Sequence, residues 1–322
     1  MHSASVSAAS SVSVPSGERK RRVLVTGATS GIGRAAALRL HELGWEVFAT
    51  GRDEARRRAL AESAGGPSFH VLALDVDSAE SIAACKATIQ EITAGYGLDV
   101  VVNNAGFARV SAIADLTDRD LRSHFETNVF AVVAISQAFL GGMMSRRSGR
   151  IINVSSSGGR MSLPFVGAYH AAKFAVEALS DAMRWELAPL GIQVSVIEPG
   201  PVRTEFAERV VASIDAVPPG SVYAPVLGNI ASIQRLAERS MIEPDVVVRD
   251  IVHAASAKRP RARYVEPRLL ALVLTLAHLL PTFIVDRVIA RMFGLDRLRK
   301  REASALRLRG SAHGEISVFE GP

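Results

Sequence analysis

The 322-residue chain has a single cysteine, no long uninterrupted hydrophobic run and no internal repeat. Because Cys85 has no partner cysteine, an internal disulfide is excluded, and the chain fits a reducing compartment such as the cytoplasm. The most apolar stretch, residues 269–285, is slightly short for a membrane span and contains Pro281. No cluster of His, Cys and acidic residues has metal-ligand spacing, so we predict no metal site.

The chain also lacks a charge near Met1, and its first sixteen residues are rich in Ser, Ala and Val without a long apolar run. This composition argues against a secretory signal and predicts a disordered lead-in over residues 1–20. Lys and Arg number 38 against 32 Asp and Glu, but much of the excess lies at residues 56–58 and 287–309. Because the asymmetry is local, we expect no nucleic-acid partner.

What the sequence has in quantity is hydrophobic material, 48% of the residues, in an ordered alternation. From Arg22 onward, short β-branched runs alternate with longer helical patterns, which predicts parallel strands joined by crossover helices. The expected fold class is α/β, a doubly wound parallel sheet of Rossmann type in three layers, α/β/α. We predict strands at residues 22–26, 45–50, 70–75, 99–104, 150–155 and 193–198, and helices at 32–43, 53–63, 78–94, 118–145 and 167–188.

One folded domain is predicted over residues 21–266, in which the less regular part, 201–266, forms the segment that chooses the substrate. Helical pieces are expected around 229–240 and from Pro244. Residues 267–322 form an apolar and basic helical extension. Its residues 269–301 are a candidate for peripheral contact with an anionic membrane surface. The alternative is that this extension caps a hydrophobic pocket or packs against a second subunit.

A glycine-rich run, TGATSGIG at residues 26–33, ends the first strand and begins the first helix. Its glycines permit a tight turn and the close approach of a pyrophosphate to the positive end of a helix. Alone the run is weak evidence, since many strand-to-helix corners need glycine. The residues predicted to hold a dinucleotide here are Gly27, Ser30, Gly31, Ile32 and Gly33.

The second predicted strand is followed by Arg52, where a cofactor without a 2′-phosphate would usually meet an acidic residue. A guanidinium can instead pair with a 2′-phosphate, so NADP(H) is favoured over NAD(H). The alternative is that Asp53 is the acidic residue, one position late. Further cofactor contacts are predicted after the third and fourth strands, at Asp75, Val76, Asn103, Ala105 and Gly106.

Tyr169 and Lys173 lie four residues apart in a helical stretch, so their side chains share one face. An ammonium near a phenol stabilises the phenolate and lowers the phenol pKa toward a useful range. Ser156, at the end of a strand, is placed to donate a hydrogen bond to a substrate oxygen. Each residue alone has an ordinary structural explanation, whereas the combination predicts acid/base chemistry. His170 is expected to pack, since it points away from the face of Tyr169.

These motifs, in this order from Arg22 to about Thr204, resemble the short-chain dehydrogenase/reductase family in its single-domain form. The resemblance implies that Tyr169 is the general acid/base, that Ser156 orients the carbonyl and that Lys173 binds the nicotinamide ribose and tunes the phenol. It also implies that Asn128 holds a water of the proton relay. A homo-oligomer, dimer or tetramer, is implied as well. Contacts to the nicotinamide end are implied at Pro199, Val202 and Thr204.

Residues 158–173, GGRMSLPFVGAYHAAK, together with Arg52 and the tail 261–289, look similar to the 17β-hydroxysteroid and retinol dehydrogenase-like branch. That branch implies a small apolar substrate, an alcohol or ketone on a steroid, retinoid or lipid-like molecule. We therefore predict an NADP(H)-dependent oxidoreductase that reduces a ketone or aldehyde or oxidises an alcohol. The alternative is a non-catalytic NADP-binding regulator or scaffold of the same fold.

Overall fold

The computed structural model describes residues 19–213, 221–226, 241–296 and 298. The first eighteen residues of the predicted lead-in lie outside these ranges. The predicted helical piece around 229–240 and all residues after 298 lie outside them as well.

Seven parallel strands form one sheet in the order β3-β2-β1-β4-β5-β6-β7. The six predicted strands are present, with ends shifted by one or two residues, and the predicted fold class is confirmed. A seventh strand, which was not predicted, extends the sheet from within the expected substrate segment. The strands are β1 Arg22–Val25, β2 Glu46–Gly51, β3 Phe69–Ala73, β4 Val100–Asn103, β5 Gly149–Val154, β6 Ile192–Pro199 and β7 Arg263–Glu266.

Helices cover both faces of the sheet, because a parallel sheet buries both of its sides. Alternate strand residues face opposite sides of the sheet: Val23 and Val25 join the core with helices 31–42 and 244–256, while Leu24 joins the core with helices 79–92 and 131–146. The described helices are α1 Gly31–Glu42, α2 Glu54–Ala64, α3 Ala79–Ile92, α4 Asp118–Phe125, α5 Ala131–Arg146, α6 Gly167–Leu187, α7 Glu205–Ala212, α8 Pro244–Ser256, α9 Arg268–Leu279 and α10 Thr282–Phe293.

Two predicted segments differ from their expected form. The helix predicted over 118–145 is interrupted by a π-helical turn, Glu126–Phe130, between α4 and α5. The apolar stretch 269–285 divides into α9 and α10 at Pro281, whose ring and missing N–H prevent helix continuation.

By length and composition alone, one continuous helical run, Asp118–Arg146, would suit a membrane span. In its most apolar window 44% of the residues are buried inside the protein, and α5 packs on α3, β4 and β5. A core helix of a globular protein meets the same criteria, so the run is weak evidence for a membrane.

Candidate active site

The order of the strands reverses between β1 and β4, and the loops that follow these two strands meet at the carboxyl edge of the sheet. Thr26 joins them: its hydroxyl oxygen accepts hydrogen bonds from the backbone N–H groups of Asn104, at 2.9 Å, and Ala105, at 3.0 Å. In open α/β sheets a ligand binds at such a reversal point. The glycine-rich turn and the loop after β4 therefore form one site.

The glycines of this turn are required by its geometry. Gly27 has φ +63° and Gly31 has φ +54°, a region that residues with a Cβ rarely adopt. A Cβ on Gly33 would lie 2.5 Å from the carbonyl oxygen of Gly27 and would also meet the side chain of Asn104. Ser30 is the N-cap residue of α1 without a side-chain cap bond, and Ile32 packs on the core. The first turn of α1 thus presents backbone N–H groups at the site.

After β4, the two asparagines have different environments. Asn103 is buried, and its amide nitrogen donates to Ser136 and Asn153 inside the fold. Asn104, in the same polar turn, donates its amide to the carbonyl oxygen of Thr26 at 2.9 Å. The side chain of Asn103 therefore supports the interior, and Asn104 fixes the glycine-rich turn. Their position in one polar turn was visible in the sequence, but the sequence did not distinguish their roles.

At the outer edge, Arg52 is exposed directly after β2. The neighbouring Asp53 is the N-cap of α2, and its carboxylate accepts from the backbone N–H of Arg56 at 2.8 Å. Asp75 is exposed after β3, and Val76 lines a small cavity together with Ala105. All of the residues predicted to contact a dinucleotide along β2 and β3 thus lie at the carboxyl edge of the sheet.

The π-helical turn places Asn128 beside the loop after β4. Its amide nitrogen donates to the carbonyl oxygens of Phe107 and His124, each at 3.0 Å, and its amide oxygen accepts from the backbone N–H of Phe107 at 3.3 Å. A Cβ on Gly106 would lie 2.7 Å from that oxygen and 3.8 Å from the Lys173 ammonium. Gly106 therefore allows Asn128 and Lys173 to approach the same point. Single π turns often occur at functional sites.

Tyr169 and Lys173 project from α6 as the four-residue spacing requires. The Lys173 ammonium donates to the carbonyl oxygen of Val154 at 2.9 Å and lies 5.7 Å from the centre of the Tyr169 ring. Ser156 begins the turn after β5, and its hydroxyl acts to lower the pKa of Tyr169. The structure thus brings a phenol, a hydroxyl and an ammonium together at the carboxyl edge of the sheet.

Burial dominates the electrostatics of this group. Burial raises the pKa of Tyr169 to about 12, and the Ser156 hydroxyl opposes that increase. Burial lowers the pKa of Lys173 to about 8, and the Glu177 carboxylate opposes that decrease. His170 is also buried, which lowers its pKa to about 4, and its Nδ1 accepts from the backbone N–H of Leu163. At neutral pH, His170 is an uncharged packing residue.

The three residues expected near the nicotinamide end follow β6. Pro199 ends the strand, and its carbonyl oxygen is 3.5 Å from the Ser156 hydroxyl, which donates to it. Val202 is buried and pairs with Ile242. Thr204 is the N-cap residue of α7, and a Cβ on Gly31 would lie 3.3 Å from its side chain. The segment after β6 therefore reaches the glycine-rich turn across the sheet.

A buried charge cluster next to this site was missed by sequence reasoning. Glu177 on α6 and Glu198 on β6 are both buried, and Arg263 of β7 contacts each of them at 3.0 Å. The available signal was the spacing of Glu177, four residues after Lys173. Arg263 gave no local signal, because it lies far away in the sequence on a strand that was not predicted.

Comparison with known proteins identifies the same family that the sequence motifs resemble. The family model described as short chain dehydrogenase matches residues 21–215. The chain is 30% identical to the NADPH-dependent 3-dehydrocapnine reductase of Ornithobacterium rhinotracheale, over 83% of this chain and 95% of that protein. It is 34% identical to 17-beta-hydroxysteroid dehydrogenase type 1 of Homo sapiens, over 75% of this chain and 76% of that protein.

Among solved structures, a short-chain dehydrogenase from Streptomyces avermitilis superposes with a TM-score of 0.70 at 30% identity. The match covers 89% of this chain and 99% of that one. The family match spans well over half of the sequence and includes both loops at the reversal point of the sheet. The chain therefore belongs to the short-chain dehydrogenase family and is an oxidoreductase.

Proposed function

We propose that the protein is an NADP(H)-dependent oxidoreductase that reduces a ketone or aldehyde, or oxidises the corresponding alcohol, on a bulky apolar substrate. The observation that carries the proposal is the convergence of Ser156, Tyr169 and Lys173: the Ser156 hydroxyl acts to lower the pKa of Tyr169, and the Lys173 ammonium lies 5.7 Å from the centre of the phenol ring. A phenol with a cation at this distance and a second hydroxyl beside it suits proton exchange with a carbonyl oxygen.

The cradle at the reversal point fits a dinucleotide. Side chains are excluded at Gly27 and Gly33, where a Cβ would meet the loop after β4 or the turn itself. These close contacts hold the turn tightly, and a pyrophosphate would bind beside it at the N-terminus of α1, while Pro199, Val202 and Thr204 would contact the nicotinamide end. When bound, nicotinamide supplies or accepts the hydride.

The protein's own groups would then manage the proton and the oxygen. In the direction of reduction, the Tyr169 hydroxyl gives its proton to the substrate oxygen while Ser156 donates a hydrogen bond to that oxygen. Lys173 stabilises the resulting phenolate, which counters the effect of burial on the tyrosine. Both amide hydrogens of Asn128 are bonded to carbonyl oxygens, so a relay water would meet its backbone carbonyl or the remaining lone pair of its amide oxygen.

The preference for NADP(H) is supported by the contrast between Arg52 and Asp53. Arg52 is exposed at the end of β2, where a 2′-phosphate would lie, while the Asp53 carboxylate caps α2. The Asp53 carboxylate thus has a structural role at the start of α2. The Ornithobacterium relative is named an NADPH-dependent reductase, which agrees with this choice.

A bulky apolar substrate is supported by the surroundings of Tyr169. The Phe206 ring of α7 lies 5.8 Å from the Tyr169 ring. Phe165, Val110 and Phe293 belong to an apolar cluster between the loop after β4, the loop before α6 and α10. Apolar walls with a few converging polar groups are typical of sites for such ligands. The human relative is named for a hydroxysteroid.

Replacement of Tyr169 by Phe tests this proposal, since it removes the proton donor and keeps the ring. NADPH oxidation across a panel of steroids, retinoids and long-chain carbonyls should fall by about 100-fold or more, while NADPH binding, followed by fluorescence, persists. Tyr96→Phe is the matched control, because Tyr96 contacts Arg19 near the opposite edge of the sheet. Reduction by Tyr169→Phe at the wild-type rate would refute the role of Tyr169. Binding without turnover of any carbonyl would favour the scaffold alternative.

We also propose that α9 and α10 contact an anionic membrane surface. Their inner residues, such as Leu274 and Phe293, are buried, but their outer face exposes large apolar side chains. On either side of the turn between the two helices, Leu279 is 76% exposed and Phe283 is 69% exposed. Between residues 268 and 309 the sequence has nine basic and three acidic residues. An exposed apolar face with basic flanks is complementary to anionic lipid.

Flotation with vesicles of phosphatidylcholine and phosphatidylserine tests the membrane contact. The intact chain should float with these vesicles, and a Leu279→Ser, Phe283→Ser variant should not. Trp185→Ser is the control, because Trp185 is equally exposed on α6, away from these helices. If the double variant floats as the intact chain does, the surface is not the lipid contact. If it loses a dimer instead, the surface joins two subunits.

A further inference from the structure

Four polar residues follow one another along a single face of α6. Tyr169, Lys173, Glu177 and Asp181 are spaced by four, which places them on neighbouring turns of the same side. Lys173 and Glu177 are buried, at 5% and 7% exposure. A buried charge is costly unless it is paired, so this stripe needs partners from elsewhere in the fold.

Arg263 of β7 supplies the main partner. Its guanidinium contacts Glu177 at 3.0 Å, Asp181 at 2.9 Å and Glu198 at 3.0 Å. Glu198, on β6, is fully buried and has a second contact with Arg160 at 3.3 Å. One guanidinium thus holds three carboxylates from α6 and β6, and a second one assists at Glu198.

The cluster also touches the segments that carry the proposed reaction. The Ser155 hydroxyl acts to lower the pKa of Glu177, and Ser155 directly precedes Ser156. Glu198 directly precedes Pro199, whose carbonyl oxygen accepts from Ser156. Glu177 lies one helical turn after Lys173, on the side away from Tyr169. The carboxylates of Glu177 and Glu198 therefore lie close in sequence to the residues that hold the Lys173 ammonium and the Ser156 hydroxyl.

We propose that Glu177 is a positioning residue for Lys173: its carboxylate, held by Arg263, keeps the Lys173 ammonium charged and fixed beside Tyr169. Arg263 has the complementary role of keeping the buried carboxylate ionised. The inference rests on the proposed function only in that Lys173 is taken to serve Tyr169. The charge state of Lys173 is a property of the folded protein whether or not a carbonyl is reduced.

The electrostatics agree with this geometry. Burial lowers the pKa of Lys173 to about 8, and Glu177 is the charge that opposes the decrease. Burial raises the pKa of Glu177, while Ser155 and Arg263 lower it. Burial and the nearby Glu177 raise the pKa of Glu198 to about 7, against Arg160 and Arg263.

Other polar and titratable groups lie on α6 and on the elements packed against it. From α6 itself, Asp181 pairs with Arg184 at 2.8 Å as well as with Arg263. On α4, the Nδ1 atom of His124 is hydrogen-bonded to the backbone carbonyl oxygen of Asp120, and burial lowers the pKa of His124. The π turn contributes Asn128, which is uncharged. Among the groups described around Lys173, Glu177 is thus the carboxylate that sustains its charge.

The Glu177→Gln variant removes the carboxylate and keeps the shape of the side chain. The alkaline limb of kcat/KM for carbonyl reduction should move to lower pH by about 1 to 2 units, the effect expected of a charge one helical turn away at intermediate dielectric. Asp181→Asn is the matched control, since Asp181 shares Arg263 but lies two turns from Lys173. The alkaline limb of kcat/KM for Asp181→Asn should stay at the wild-type pH even if this variant is less stable than the wild-type protein.

A measurement without turnover separates this inference from the proposed function. The chain has only five lysines, so the side-chain NMR signals of a lysine-labelled protein are few, and a Lys173→Arg variant identifies the one of interest. In Glu177→Gln the Lys173 signal should titrate at lower pH than in the wild-type protein. Arg263→Lys keeps the positive charge but loses the planar guanidinium that binds several carboxylates at once. The Lys173 signal of this variant should also titrate at lower pH than in wild type, but by less than in Glu177→Gln.

The two readouts give distinct negative results. If the Lys173 signal titrates at the same pH in wild type, Glu177→Gln and Arg263→Lys, the inference is overturned, whatever the activity. A Glu177→Gln variant whose kcat and KM change at all pH values without a shift of the limb would show a merely structural role. If no carbonyl is turned over while the Lys173 titration shifts, the proposed function fails and the positioning role stands.

Discussion

Removal of the Arg52 guanidinium is the sharpest test of cofactor preference. Arg52→Ala leaves the backbone at the end of β2 unchanged, because the Arg52 carbonyl oxygen still accepts from Arg57. NADPH and NADH differ only at the 2′-phosphate. The variant should therefore lose affinity for NADPH and keep its affinity for NADH.

The magnitude follows from the exposure of Arg52. Two unit charges 4 Å apart interact by about 1 kcal/mol in water and about 4 kcal/mol at an effective dielectric constant near 20. Because Arg52 is exposed at the edge of the sheet, we expect about 1.5 to 2.5 kcal/mol. That corresponds to about 10-fold to 70-fold weaker binding of NADPH.

Fluorescence titration of both cofactors measures this difference, at low and at high salt because exposed ion pairs are screened. Arg58→Ala is the matched control: it removes the same charge from the next turns of α2, where Arg58 pairs with Glu54 at 3.1 Å. Equal weakening of NADPH and NADH in Arg52→Ala, or no weakening at all, would refute the assignment. If Arg58→Ala weakened NADPH binding to the same extent, the preference would come from the overall positive charge of α2 rather than from a contact between Arg52 and the 2′-phosphate.

Three further changes have defined outcomes. Gly33→Ala should abolish tight NADPH binding and lower the free energy of unfolding by about 1 to 3 kcal/mol, because its Cβ would lie 2.5 Å from the Gly27 oxygen; dye-free thermal unfolding and cofactor titration check both effects. Asp53→Ala should cost about 1 kcal/mol through loss of the α2 cap, measured by urea unfolding, with unchanged preference between NADPH and NADH. Glu198 has a folded pKa of about 7, raised from 4.5, so the folded state binds its proton more tightly. Stability from this group is present below pH 4.5 and is lost as the pH rises through 7, by about 2 to 3 kcal/mol. Glu198→Gln should flatten that decrease in urea unfolding between pH 5 and 7.5, and an unchanged slope would count against the raised pKa.

Most of the sheet was predictable because most strands have a hydrophobic pattern that is visible in their own sequence. Runs such as residues 23–25 and 100–102 are continuously apolar and lie close to turn residues, so composition and length identify them. The strand β7, residues 263–266, was missed for the same reason. It is short and carries Arg263 and Glu266, and it is a strand only because it pairs with β6.

The site was partly predictable. The four-residue spacing of Tyr169 and Lys173 sets their shared face, and the glycine spacing sets the turn at residues 26–33. Local pattern does not report which asparagine faces inward, so Asn103 and Asn104 were separated only by their hydrogen bonds. The π turn at residues 126–130 was likewise unpredicted, since the sequence there is compatible with a continuous helix.

The sequence by itself determined the order of strands and helices, the glycine-rich turn and the facing pair on α6, because each depends on neighbours within a few residues. Only the tertiary structure decided which distant charges meet. Arg263 reaches Glu177 and Glu198 because β7 pairs with β6 at one side of the sheet and α6 packs across it. Such contacts depend on chain segments that are more than sixty residues apart, and no local spacing encodes them.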